Sequence, residues 1–133
     1  MEIPFWKKWG ITSILEWHEN QILSSKFLRV THSDSFLGIL SLHFLNGSLG
    51  GLGLLLGLIL FPHIVNIHFL ILGSMYGIFL WVLTLIPIHK PITGINPFRH
   101  PLGTGPVIVS FLGHIFYGIT LISLFIVTLV ITQ

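Results

Sequence analysis

Hydrophobic and polar positions divide the chain into a mixed N-terminal segment followed by three long apolar tracts. No Asp, Glu, Lys or Arg occurs from position 36 through 89, and none occurs from 101 to the end. Pro62, His63 and Asn66 interrupt the first uncharged stretch. The tracts at 36–61, 67–88 and 107–131 each reach the roughly 20 apolar residues that cross a bilayer core of about 30 Å. Leu and Ile dominate them without strict alternation, so membrane β-strands fit poorly. Helices satisfy their own backbone hydrogen bonds, which lipid requires. The pattern therefore predicts an all-α chain, a single membrane domain over 1–133 with three transmembrane helices and an N-terminal amphipathic interfacial helix.

Local chemistry punctuates the same elements. Ser33 and Asp34 are suited to cap the first span, and Pro62 comes directly after its end. Pro87 falls in the last turn of the second span, Pro91 lies just beyond it, and Pro106 suits the first turn of the third. The segment 89–106, rich in Pro and Gly, reads as a loop. Within 1–34, Ile11, Ile14, Leu15, His18 and Ile22 recur at helical spacing on one face, with Thr12, Glu16, Glu19 and Asn20 on the other. Trp6, Trp9 and Trp17 add rings that favour the headgroup level. A helix lying on the membrane is expected, with a helix packed on a partner protein as the alternative.

Composition then decides the solvent. Hydrophobic residues make up 53% of the 133, and only 8% are charged, where soluble domains carry about 25%. Mean hydropathy is +0.93. The formal charge of +2 comes from only six Lys and Arg, too few for a nucleic-acid patch. The absence of Cys excludes disulfides and thiolate-ligated metal. The first 20 residues carry charge where a signal peptide would need an apolar run, so a cleavable signal peptide is not expected.

Lys7, Lys8, Lys26, Arg29, Lys90 and Arg99 all fall on the side shared by 1–34 and 89–106. The positive-inside rule then places the N-terminus and that loop in the cytoplasm and the C-terminus across the cell membrane. Single cysteines at Ser13, Thr104 and Thr132 test this. An impermeant thiol reagent on intact cells is expected to label only Thr132→Cys, and labelling at Ser13→Cys would invert the topology.

Two residue types remain informative. Gly47 and Gly51, Gly53 and Gly57, and Gly73 and Gly77 form GxxxG pairs, while Ser110, His114 and Gly118 align along the third span. Small residues let membrane helices approach closely, within the monomer or against other subunits. The eight His residues are twice the number of acids. His43 and His114 each lie seven residues into parallel spans, about 10 Å deep at 1.5 Å per residue. Both are expected to face the bundle interior, with Tyr117 near His114 and His89 nearer the surface. These four form a candidate intramembrane polar site. Neutral hydrogen-bonded imidazole, metal or haem ligation, and a proton relay through Tyr117 and water are all compatible with the pattern. Catalysis has little support: GxSxG, HExxH and paired carboxylates within a span are missing.

The stretches LHFLNGSLGG at 42–51, MYGIFLW at 75–81 and SFLGHIFYG at 110–118 together resemble uncharacterised small membrane proteins of the YagU-like sort from bacteria and archaea. The resemblance covers the three spans and implies a polytopic membrane protein, with no catalytic residue or ligand carried over. In size and composition the chain also resembles accessory subunits of large respiratory or oxygenase complexes. The resulting expectation is a non-enzymatic accessory subunit without a cofactor, embedded in lipid and packed beside other membrane subunits or copies of itself. The alternative is a His-dependent proton or ion carrier, or a holder of metal or haem.

Overall fold

The computed structural model describes residues 15–27, 36–100 and 103–131. Trp6, Trp9, Ser33 and Asp34 lie outside them. Four helices account for most of the described chain: α1 (Leu15–Phe27), α2 (Phe36–Leu60), α3 (Phe69–Thr93) and α4 (Gly105–Ile131). The last three are long and apolar enough to cross a membrane. Their outer faces carry large apolar side chains such as Leu37, Phe44, Phe79 and Phe116 in exposed positions, which suits lipid as the solvent.

Proline and glycine set the ends. Pro62 stops α2 and opens a 3₁₀ turn, Pro62–Asn66. The freed backbone groups are recovered by Phe61 N–H to the Gly57 carbonyl at 2.9 Å and Ile64 N–H to the Phe61 carbonyl at 3.1 Å. His68 then caps α3: its carbonyl accepts from Ile71 N–H at 2.9 Å and Leu72 N–H at 3.0 Å. At the other end, α3 runs past the Ile88 boundary expected from sequence. Leu85–His89 widens into a π-helical turn around Pro87, and helical structure resumes through Pro91 to Thr93. A wider turn tolerates a residue that has no N–H to donate. The stop comes at Gly94, whose φ of 72° suits a residue without Cβ.

The tightest crossing joins α3 to α4. A Cβ at Gly73 would stand 2.6 Å from Ile119 Cα, and one at Gly77 would lie 2.7 Å from Ile115 Cα and fall on the His114 carbonyl. A Cβ at Gly118 would strike the Gly73 carbonyl. The Gly73–Gly77 pair is thus used within the chain, as close helix packing in lipid requires.

α2 stands further off. Two tyrosines span the gap: the Tyr76 hydroxyl donates to the Gly50 carbonyl and the Tyr117 hydroxyl to the Gly47 carbonyl. Towards the C-terminal ends of α2 and α4 the space is filled by Leu54, Leu58 and Ile122, packed with Leu72, Leu121 and Phe125. The glycine pairs of α2 make no comparable crossing. A Cβ at Gly47 or Gly57 would meet nothing within 4 Å, while those at Gly51 and Gly53 would only touch side chains, the nearest being tyrosine hydroxyls at 3.6 and 3.4 Å.

α1 is docked between α2, the C-terminal end of α3 and the N-terminal end of α4, and its polar residues point differently from the sequence expectation. Glu19, Asn20 and Ser24 are buried together with Leu15 and Trp17. The carboxylates turn inward because His89 and Ser110 wait there as partners. Trp17 is a packed residue at 3% exposure.

Candidate functional site

The polar residues of the bundle collect where α1 meets the three spans. Glu16 and Glu19, one helical turn apart, share the inward side of α1. Glu19 Oε1 lies 2.6 Å from His89 Nδ1, and the His89 side chain is 0% exposed and the Glu19 side chain 9%. A contact this short lies below the usual N–H···O separation of about 2.9–3.0 Å. The π turn explains how His89 reaches it. Each extra residue in a turn rotates the remainder of the helix by about 100°, so the Pro87 distortion re-aims the last turns of α3.

Glu16 serves α4. The Ser110 hydroxyl donates to Glu16 Oε1, and His114 Nδ1 lies 3.6 Å from the same oxygen. That imidazole nitrogen is already engaged: it is 2.9 Å from the Ser110 carbonyl. A carbonyl can only accept, so Nδ1 donates to it, while Nε2 lies 3.4 Å from the Thr84 hydroxyl. Thr84 also reaches the Trp81 carbonyl at 3.2 Å. His114 is thus held between α3 and α4 by a polar contact at each ring nitrogen.

His43 borders the same helix from α2, its ring stacked on Trp17 with centroids 4.9 Å apart. One turn further along α2, Asn46 Nδ2 donates to Asn20 Oδ1 at 3.1 Å. His18 completes the group on the α3 side, its ring edge-on to His89 at 6.3 Å. Burial holds His18 below the usual imidazole range, and neighbouring His89 and His100 lower it further. His100 is lowered in the same way, by burial first and then by His89.

All four candidate residues are thus placed. His43, His89 and His114 border α1, whereas Tyr117 lies beyond them with its hydroxyl spent on the Gly47 carbonyl. A relay through Tyr117 would have to break that bond. Sequence reasoning missed Glu16 and Glu19, the carboxylates that complete the cluster. Their i, i+3 spacing on one helix was the available signal, because the buried imidazoles have no acid within the spans to pair with.

The cluster has the makings of acid–base chemistry. A carboxylate on Nδ1 fixes the tautomer and leaves Nε2 as the reactive nitrogen. In His89, Nε2 is buried with no hydrogen-bond partner among the described residues, and His18 Nδ1 is in the same position. A metal centre is less well served: among the described residues no three His or acidic side chains are grouped to hold an ion. No family model matches the chain, and no curated protein or solved structure is significantly similar to it.

Proposed function

We propose that the protein is a non-catalytic membrane subunit that packs beside other membrane helices through α2. The observation that carries this reading is the uneven use of glycine. Gly73, Gly77 and Gly118 are consumed in the α3–α4 crossing, whereas Gly47 and Gly57 present open space. In lipid such a face gains most from a second helix brought to close contact.

Two features of the cluster favour a subunit over a self-contained enzyme or carrier. The Ser110 hydroxyl is directed to Glu16, and His114 takes the Ser110 carbonyl, so no imidazole is set to activate that serine. Beyond Tyr76 and Tyr117 the Leu54, Leu58 and Ile122 packing closes the bundle, and the half-buried Ser123 hydroxyl there only donates to the Ile119 carbonyl of its own helix. A second reading, proton binding at the cluster, is favoured by the buried Glu19–His89 pair, because an ionisable pair within a membrane domain is costly to keep without use.

Gly57→Leu and Gly47→Leu test the subunit reading. A Cβ at either position meets nothing within 4 Å, so insertion and thermal stability in detergent are expected to match the parent. Co-purifying membrane chains, or the self-associated form, are expected to be lost. Retention of both in the two variants would sink the reading.

A further inference from the structure

We propose that His18 and His89 together bind one buried water molecule between α1 and the end of α3, joining Glu19, His89 and His18 into a single hydrogen-bonded chain. The inference rests on the geometry of this joint and is independent of the subunit reading. His89 is its starting point. The side chain is 0% exposed, and Nδ1 lies 2.6 Å from Glu19 Oε1. The other ring nitrogen, Nε2, is also buried and meets no hydrogen-bonding group among the described residues. On α1, one position before Glu19, His18 holds a second buried nitrogen in the same condition, its Nδ1. The two rings are neighbours, inclined at 61° with their centres 6.3 Å apart.

A buried polar nitrogen left unbonded is costly to the fold. Interior waters settle where such groups remain, each joining about two to four of them. The two nitrogens do not bond one another, so a third party must serve both. Water serves them in any protonation state, because it donates to a bare nitrogen and accepts from an N–H. Burial first, and then neighbouring His89 and His100, hold His18 below the usual imidazole range. At neutral pH its ring therefore offers one N–H and one lone pair, and water can meet whichever Nδ1 carries.

The ring spacing separates water from a tetrahedral metal ion. Two imidazoles on zinc, with N–Zn of about 2.0–2.1 Å, bring their ring centres to about 5 Å. Two imidazoles on one water, with N···O of about 2.9 Å, hold their centres about 6–7 Å apart. The 6.3 Å observed falls in the second range. No third His or acidic side chain is grouped with the pair to complete an ion site among the described residues. A linearly ligated ion is the competing occupant, and the experiment below separates the two. The water would fasten α1 to α3 at a second point beside the Glu19–His89 contact. It would also lead outward, since Glu19 and His89 are buried whereas His18 is only half-buried. Removing the His18 nitrogen should release the water and leave the Glu19 contact in place.

The test is solid-state NMR of the isotope-labelled full chain in lipid bilayers at neutral pH, with magnetisation passed from water to nitrogen. The His89 signals are assigned by their disappearance in His89→Gln. In the parent, Nε2 of fully buried His89 is expected to receive water magnetisation as readily as the ring of exposed His63, and the Ile122 amide in the apolar core to receive none. His18→Phe keeps a ring but no nitrogen, and is expected to lose the transfer at His89 Nε2 while the α1 backbone shifts stay those of the parent. His18→Gln, whose amide can still hold water, is expected to retain it. A parent signal at His89 Nε2 no stronger than at Ile122 would overturn the proposal without recourse to any variant. So would a transfer that His18→Phe leaves unchanged, or a metal ion found bound in equal amount to the parent chain and lost in His18→Gln.

Discussion

Gly77→Leu is expected to abolish the packing of α3 on α4 while leaving both helices in the membrane. The added Cβ would fall on the His114 carbonyl and stand 2.7 Å from Ile115 Cα. These are backbone atoms of a continuous helix and cannot rotate away as a side-chain tip would. The helix axes must separate instead, which also removes the Gly73–Ile119 and Gly118–Gly73 approaches. The cost should exceed the about 1–3 kcal/mol typical of an overpacked core, because the whole contact is lost along with the local one. Leu is as compatible with lipid as Gly is, so insertion should be normal. His114 would lose Thr84 as its partner across the interface, and the seat of α1 would be disturbed from beneath. Thermal unfolding in mild detergent reads the effect: Gly77→Leu should melt far below the parent, and Gly57→Leu, whose Cβ meets nothing within 4 Å, should melt with the parent. Equal melting of Gly77→Leu and the parent would show that the crossing does not hold the bundle together.

The contrast between Gly77 and Gly57 also shows how far the chain can be read from its residues. The three spans are legible because charge is missing over long tracts, a property of composition that needs no tertiary contact. The close crossing is legible only as a set of equivalent GxxxG pairs, since the motif states that a helix can be approached and not by what. Gly73–Gly77 found Gly118 in the same chain, whereas Gly47 and Gly57 meet no backbone there. The end of α3 escapes the sequence for a local reason. Pro87 reads as a boundary, but a π turn absorbs it and the helix continues to Gly94. The four candidate polar residues stand out by their depth and neighbours. Their partners do not, because Glu16 and Glu19 sit on a segment whose polar face would ordinarily be assigned to water. Burial of a polar face depends on what lies opposite it, and His89 and Ser110 are 70 and 94 residues away in sequence.

The Glu19–His89 pair gives the second large effect. Glu19→Leu is expected to destabilise the docked α1 strongly, since it strands a fully buried imidazole whose Nε2 already lacks a partner among the described residues. His89→Leu is expected to do comparable damage by leaving a nearly buried carboxylate unpaired. Breaking a buried ion pair in this one-sided way costs about 3–5 kcal/mol, whereas replacing both members by apolar residues is often neutral. The double variant, Glu19→Leu with His89→Leu, should therefore recover much of what either single change loses, a coupling of about 0.5–3 kcal/mol. Glu19→Gln should fall between, because its amide oxygen still accepts from Nδ1–H but supplies no charge. Hydrogen exchange of the α1 amides in nanodiscs at pH 7.5 measures docking without requiring the bundle to unfold. Protection should fall steeply in each Leu single variant, less in Glu19→Gln, and return towards the parent in the double. Single effects that simply add in the double variant would mean that Glu19 and His89 stabilise α1 separately, and the pair would then have no standing as the anchor of the cluster.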